Sequence, residues 1–342
     1  MKKKDFASAG RLSGKRMGTM LCAATFLLCG CGNENEMTED GRVPLQVNAG
    51  IQTRAYNNLW QSGDAIGVYM LKDANEDVSN RKYTTTATAD TKDGTFSATE
   101  GDIYFPVDGS GRDFIAYYPY QASITDGSYI IDLTDQSKQK DIDMMRSEKV
   151  LGKDKDHASV AFKFYHKLAK IEVNVVAGTG LTVADLAGTK VSLTNQPVKG
   201  TFNLLMEGAA ATADAITEAN PLEELTFCTT ADGSKYEAIV FPAAKAQLSD
   251  MVMKFLVPKV NKTIPFTFSM KDAANTASFE AGKKYLYTIT VNKIGLSVSL
   301  PLRTGAQVTE LAIRAVRSSK AVSSVPFARR NPSTARRNLS LQ

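Results

Sequence analysis

The chain has 342 residues, of which 43% are hydrophobic and 23% are charged. This composition is globular and allows two domains with sizeable cores, which excludes a wholly disordered or fibrous chain. Residues 1–30 and 302–342 are both strongly basic, so the net charge of +5 leaves about −7 for the segment between them. An acidic central segment argues against a nucleic-acid-binding surface there, and we expect no nucleic-acid partner.

The N-terminal segment has the layout of an export signal. Six basic side chains precede an apolar run from Leu21 to Leu28, which Cys29, Gly30 and Cys31 follow. The run has roughly half of the ~20 residues that a membrane-spanning helix needs, so we favour a signal over a transmembrane helix. The layout resembles a bacterial lipoprotein signal. It predicts a signal peptide over 1–30 and a covalent lipid on Cys31, with no other cofactor, and thus an outer-membrane lipoprotein.

Residues 31–42 are polar and acidic and lack apolar periodicity, which predicts an extended, flexible tether. An acidic stretch directly after the lipidated cysteine resembles the surface-export signal of Bacteroidetes lipoproteins. The alternative is an ordinary solvated linker, and the sequence leaves both open. The first interpretation places the protein on the cell surface.

From Val43 onward, apolar and polar residues alternate in short runs that turn residues interrupt every ten or so positions. Such a pattern is typical of antiparallel β-sandwiches, so we predict an all-β fold. A charged stretch, Lys153 to His157, has no apolar content and marks a boundary. We therefore predict an N-terminal domain over 43–157 and a C-terminal domain over 158–300.

The residues of the body offer little for catalysis. Cys228 is the one cysteine beyond the lipoprotein segment, and its strand-like surroundings predict a small buried hydrophobe. Neither His157 nor His166 lies near a candidate nucleophile, and we predict a structural role for His166. Calcium at Asp154 and Asp156 is a weak alternative, because a calcium site needs six or more oxygens. We predict no enzyme, no catalytic residue and no metal site.

Several short motifs follow one another in a specific order across residues 43–300. They are Thr53-Arg54-Ala55, Trp60 to Met70, Ile103 to Val107, Phe114 to Tyr120, Phe162 to Ile171, Gly200 to Leu204, Ile239 to Pro242 and Phe279 to Tyr285. The ordered set resembles the fimbrillin-like proteins of Bacteroidales. The resemblance implies two transthyretin-like antiparallel β-sandwich domains in tandem, in a subunit of a surface fimbria whose partners are other fimbrial subunits.

The same resemblance implies assembly by donor-strand exchange. In related fimbriae, cleavage after an arginine removes an N-terminal strand, and a strand of the next subunit fills the groove. The alternating run from Leu45 to Ile51 has the pattern of a removable strand, and Arg54 and Ala55 would then flank the cut. The alternative is a solvated arginine in a turn, and anchor or tip subunits of such fimbriae keep this segment.

Residues 301–342 form a basic tail without sustained alternation, which predicts disorder, with a short helix over 309–316. Family members usually end with one more strand, which this tail does not show. Either a shifted reading frame near Ser299 or a divergent appendage explains the difference. A tail that binds lipid head groups or nucleic acid is the functional alternative.

Two functions of different classes follow. The first is a structural or accessory fimbrial subunit, whether stalk, anchor or tip, that supports adhesion. The second is a monomeric surface lipoprotein that binds glycan or another ligand on similar sandwiches.

Overall fold

The computed structural model describes residues 41–52, 59–206, 216–218, 222–230, 235–273, 278–299 and 313–316. These residues form many short strands, two four-residue α-helices and several short 3₁₀ helices, so the all-β prediction is confirmed. No helix among them is long and apolar enough to cross a membrane.

The first half of the chain contributes nine strands and one short helix. In chain order they are β1 (Gln46–Ile51), β2 (Ala65–Lys72), β3 (Asn75–Thr85), β4 (Asp93–Ala98), β5 (Arg112–Tyr118), β6 (Ser128–Asp132), α1 (Gln139–Ile142), β7 (Met145–Ser147), β8 (Val150–Lys153) and β9 (Ser159–His166).

Seven of these strands close into a ring. The order β2-β3-β4-β1-β9-β7-β5 returns to its start because β5 also pairs with β2. β8 pairs with β5 at Arg112 and Phe114, whereas β7 pairs with it at Tyr117 and Tyr118. The ring encloses the first core, whose large members include Val47, Trp60, Phe96, Phe114 and Phe162. A closed ring differs from two open sandwich sheets, and the transthyretin-like arrangement stays a prediction.

The second half is built of two sheets with a core between them. Its elements are β10 (Ala169–Ala177), β11 (Lys190–Gln196), β12 (Lys199–Asn203), β13 (Ile216–Glu218), β14 (Glu223–Thr226), β15 (Cys228–Thr229), β16 (Lys235–Val240), α2 (Lys245–Leu248), β17 (Val252–Leu256), β18 (Phe266–Ser269), β19 (Lys284–Asn292), β20 (Gly295–Ser299) and β21 (Ile313–Val316). One sheet has the order β15-β16-β10-β19-β20-β21 and the other β14-β11-β17-β18. Their facing side chains form the second core, which includes Ile171, Leu193, Phe255 and Tyr287.

A third core joins the two halves. β6 of the first half pairs with β12 of the second, and β13 completes this small sheet. Because it covers the outside of β2 and β5, these two strands are buried on both faces, with Tyr69 and Tyr117 on the outer one. Gly67 lies beneath the Tyr117 ring, where an added Cβ would come within 2.1 Å of the ring. Only glycine therefore fits there.

A buried arginine strengthens this joint. Arg146, which is 4% exposed, donates from Nε to the carbonyl of Leu204 at 2.8 Å and from a terminal nitrogen to that of Met206 at 2.7 Å. Both carbonyls belong to the loop that follows β12, so one guanidinium of the first half fixes a loop of the second.

The predicted domain boundary at 157/158 stays a prediction, but the strand that follows the charged stretch belongs to the ring. β9 runs parallel to β1 and antiparallel to β7, and Phe162 and Phe164 point into the first core. The chain moves into the second sheet at Ala169. In the basic tail the structure describes only Ile313–Val316, and this segment is a strand paired with β20 instead of the predicted helix.

Candidate functional site: the position of β1 in the ring

β1 is one of the seven strands of the ring and has a hydrogen-bonded neighbour on each side. It pairs antiparallel with β4 and parallel with β9, and backbone bonds continue beyond its ends, from Leu45 to the carbonyl of Ile103 and from Gln52 to that of Phe164. The side chains that point into the core are at most 6% exposed; they are Val43, Leu45, Val47, Ala49 and Ile51. The alternation in the sequence thus became an inward apolar face and an outward polar one.

Trp60 fixes the end of β1 from inside the ring. Its indole Nε1 donates to the carbonyl oxygen of Ala49 at 2.8 Å. Its ring makes edge contacts with Phe96, Tyr118 and Phe164, with centroids 5.1 to 5.6 Å apart. The only tryptophan of the chain is therefore fully buried and bonded directly to the strand.

A polar cleft opens beside Ile51, where β1 ends. Asp64 is the centre of its hydrogen bonds: it accepts from Lys140 Nζ at 2.7 Å, from the Tyr118 hydroxyl at 3.2 Å and from the Gln61 backbone N–H at 2.7 Å. Burial, with the charge of Asp64 beside it, raises the pKa of Tyr118, so this hydroxyl remains a donor. Because three donors surround its carboxylate, Asp64 is a structural acceptor here.

The two histidines lie in different places, and each lies beside an aspartate. His166 is buried at the end of β9, with Nδ1 2.9 Å from Oδ2 of Asp143. His157 is exposed, and its Nδ1 lies 2.8 Å from Oδ1 of Asp154, which also accepts from backbone N–H groups of its own turn. The side-chain bond from His157 lowers the pKa of Asp154. Asp154 thus caps a turn of the ring.

Cys228 is half-buried on β15, somewhat more open than predicted. Burial raises the pKa of its thiol, which keeps it in the less reactive protonated form. Within the part of the chain that the structure describes, no group of three or more His, Cys, Asp or Glu side chains is placed to hold a metal ion.

The predicted lipidation residue Cys31 and the predicted processing residues Arg54 and Ala55 lie outside the described residues. The structure does describe both flanks of the processing segment. Gln52 is the last described residue before this segment, and Leu59 and Trp60, the first described residues after it, both line the polar cleft. The segment is therefore continuous with β1 on one side and with the Trp60 anchor on the other.

Sequence reasoning missed the bond from Trp60 to β1 and the Asp64–Lys140 pair. The spacing of Trp60 eleven residues after Ala49 carries no recognisable signal, since the bond depends on how the ring closes.

Comparison with known proteins agrees with this architecture. The model of the family described as fimbrillin-like matches residues 53–309.

This chain belongs to the fimbrillin-like family. It is 47% identical over 291 residues to a candidate fimbrium subunit, Fim1C, of Bacteroides uniformis, which covers 82% of this chain and 92% of that protein. A candidate cell adhesion protein of the same species has a crystal structure with a TM-score of 0.66 and 44% identity over 77% of this chain and 97% of its own. A further structure, from Bacteroides ovatus, shares the fold with a TM-score of 0.57, 24% identity and coverage of 80% and 99%.

Proposed function

We propose that this fimbrillin-like protein is a structural or accessory subunit of a surface fimbria that assembles by exchange of β1 for a strand of another subunit. The observation that carries the proposal is the position of β1. It closes the ring in this chain, so no slot is open, and it is also the first strand described. Removing β1 would therefore vacate one position in the ring without cutting the chain between the other ring strands.

The vacated slot would be strongly apolar, and the two strands that border it would have unpaired backbone groups on that side. β4 and β9 would each lose a row of backbone partners, and the core would lose five buried apolar side chains. Each fully buried Val, Leu or Ile contributes about 1.5–3 kcal/mol, so refilling the slot is strongly favourable. A strand with alternating apolar residues supplies both the ladder bonds and the burial.

Two arginines that flank β1 allow a matched test. We expect an arginine-specific protease to convert the wild-type protein into multimers that survive detergent without boiling. Arg54→Ala should remain monomeric, since β1 stays covalently attached to Leu59. Arg42→Ala should assemble like the wild type, because a cut at Arg42 only separates the tether from β1.

Loss of β1 should also shift the emission of Trp60 to longer wavelengths, because its indole loses the Ala49 carbonyl and becomes solvated. Multimers of Arg54→Ala equal to those of the wild type would refute cleavage at this position. A cleaved protein that stays monomeric and retains oligosaccharide would favour the glycan-binding alternative.

The proposal includes a lipid anchor on Cys31 and display at the outer membrane. Metabolic labelling with a fatty acid should mark the wild-type protein and leave Cys31→Ser unlabelled. Protease treatment of intact cells should degrade a surface-displayed protein, whereas one facing the periplasm would be protected.

A further inference from the structure

Three loops of the second half each expose a large apolar side chain. The exposed fraction is 83% for Ile294, 80% for Val183 and 57% for Ile264. Ile294 lies in the two-residue turn between β19 and β20, where Gly, Asn or Asp is usual, so it is an unfavourable choice for folding alone. We call the three loops, residues 178–189, 257–265 and 292–295, the loop tip.

Hydrogen bonds between the loops hold the loop tip together. The Thr179 N–H donates to Asn292 Oδ1 at 2.8 Å, and the Lys293 N–H donates to the Thr179 carbonyl at 3.1 Å. These two bonds join the first loop to the turn between β19 and β20. Lys259 Nζ donates to the Ala184 carbonyl at 2.7 Å, which joins the loop between β17 and β18 to the first loop. The three exposed apolar side chains are therefore carried by one connected frame.

Bonds within the loops fix the turns that carry the other two apolar side chains. Val183 follows Thr182, whose backbone N–H and hydroxyl both donate to Asp185, at 2.8 and 2.7 Å. The Ile264 N–H donates to Oδ1 of Asn261 at 2.9 Å. Scattered exposed apolar residues need no explanation, but a group presented on adjacent, hydrogen-bonded loops indicates a contact surface.

The charged side chains of the loop tip are mostly basic. The three loops contain three lysines and one acidic residue, so their charges sum to +2; they are Lys259, Lys262, Lys293 and Asp185. All three lysines are exposed, whereas Asp185 accepts both bonds from Thr182 within its own loop. Apolar and positively charged groups are thus presented together.

The segment that follows β21 begins at the same place. Val316, the last residue of β21, lies opposite Gly295, which directly follows Ile294. Residues 317–342 contain no acidic residue and six basic ones, which are Arg317, Lys320, Arg329, Arg330, Arg336 and Arg337. The fold therefore starts the most basic part of the second half beside the exposed apolar side chains.

We infer that the loop tip is a docking surface for a lipid bilayer with anionic head groups. The apolar side chains enter the boundary between head groups and acyl chains, and the basic groups contact the phosphates. Such binding grows with the apolar area buried and with the number of basic side chains near an anionic surface. An acidic peptide or polysaccharide would match the lysines but leave the apolar side chains in water, so a bilayer fits both features. The inference goes beyond the proposed fimbrial function and does not depend on release of β1.

Vesicle binding tests the inference on residues 31–342, the predicted mature chain, with Cys31→Ser so that no covalent lipid contributes. The vesicles contain either phosphatidylcholine alone or an equal mixture of phosphatidylcholine and phosphatidylglycerol. We expect the protein to sediment with the mixed vesicles and to bind them more tightly than the neutral ones. Added salt should weaken this binding, because it screens the attraction between the basic groups and the phosphates.

Two double variants separate the apolar from the electrostatic contribution. Val183→Ser with Ile294→Ser should lower the affinity for mixed vesicles at least about tenfold. Lys262→Gln with Lys293→Gln should lower it about 25-fold. All four side chains are exposed, so the variants should keep the fold, which thermal unfolding checks.

Two exposed apolar side chains of the first half provide a matched control. Val107 is 69% exposed and Leu151 is 66% exposed. Their segments, residues 106–111 and 150–157, contain three acidic residues and two lysines, so their charges sum to −1; they are Asp108, Asp154, Asp156, Lys153 and Lys155. Val107→Ser with Leu151→Ser should bind the mixed vesicles like the unsubstituted protein.

A fluorescent label shows which part of the surface meets the bilayer. Ile294→Cys, combined with Cys31→Ser and Cys228→Ser, is labelled with a dye whose emission depends on polarity. We expect the emission to move to shorter wavelengths when mixed vesicles are added. The same dye on Leu151→Cys should show no such change.

Three results would overturn the inference. They are unchanged affinity in both double variants, a label at Ile294 that remains in water, and equally tight binding to soluble polyglutamate that the serine substitutions leave intact. The last result would indicate an acidic peptide as the partner. Because β1 stays in place throughout, failure here leaves the fimbrial proposal standing, and failure of strand exchange does not affect vesicle binding.

Discussion

β1 and β10 occupy equivalent places in the two halves but are held in different ways. Each lies between one antiparallel and one parallel neighbour: β4 and β9 for β1, β16 and β19 for β10. β1 has no charged side chain and is held by apolar burial, its ladder bonds and the bond from Trp60. β10 adds two buried charges, with Lys170 Nζ 2.8 Å from Glu237 and Glu172 paired with both Lys235 and Lys284.

Under the proposed strand exchange, this difference favours β1 over β10 as the exchanged strand. Apolar burial and ladder bonds can be supplied by any strand of matching alternation, so a slot of the β1 kind tolerates a substitute. Ion pairs need specific partners, and breaking a buried pair leaves an uncompensated charge. β10 is also joined to β9 by only Lys167 and Leu168, so it cannot leave without disrupting the ring.

The largest effect should come from breaking a charge pair of β10. Lys170 is 3% exposed, and burial already lowers its pKa, so Glu237→Gln should cost roughly 3–5 kcal/mol of unfolding free energy. Denaturant titration measures this loss. Lys170→Met with Glu237→Leu should recover most of it, because no charge then remains unpaired. A single variant as stable as the wild type would show that the pair does not hold β10.

A smaller loss is expected from the tryptophan that holds β1. Trp60→Phe removes the indole N–H, leaves the buried Ala49 carbonyl without this donor and reduces the volume that fills the ring. Together these changes should cost about 2–3 kcal/mol. Native-state hydrogen exchange should then show faster exchange in β1 than in β10. Equal acceleration in both strands would contradict a local role for Trp60.

The link between β9 and β10 should produce a pH dependence. Burial lowers the pKa of Lys167 from 10.5 to about 8. Between pH 8 and 10.5 the unfolded chain therefore binds the proton that the folded chain has lost, so stability from this group rises with pH in that window. Lys167→Met should be more stable than the wild type by about 2 kcal/mol at pH 7.

That advantage should shrink as the pH approaches 9.5, as followed by thermal unfolding. The range stops below pH 10 because burial raises the pKa of Tyr83 to about 12, which has the opposite effect at higher pH. An advantage that is constant from pH 7 to 9.5 would exclude Lys167 as the titrating group.

The smallest effect should be at the outward face of β1. Asn48 accepts from Thr95 Oγ1 at 3.2 Å, and this bond is exposed. Asn48→Ala should therefore change stability by less than about 0.5 kcal/mol and leave assembly unchanged. An effect as large as that of Trp60→Phe would mean that the outward face of β1 is also specific.

The sequence by itself determined the strands, their inward faces and the family. Period-two alternation in the Leu45–Ile51 run and in β19 is local, and burial follows it directly. The tertiary structure decided how the strands combine. Whether β5 returns to β2 and closes a ring, or whether β6 pairs with β12, depends on contacts between residues far apart in the chain. Alternation carries no information about those contacts, since it specifies which face of a strand is buried and not which strand lies beside that strand.

The same reason explains what was missed around β1. The Trp60 bond to Ala49, the Asp64–Lys140 pair and the Arg146 bonds across the joint each link residues that only the closed fold brings together. The second apolar face of β2 was visible in its near-continuous apolar run, but its partner, the small sheet of β6, β12 and β13, was not. The local pattern therefore specifies a strand and its buried face, whereas long-range packing decides which strands pair and whether they close a ring.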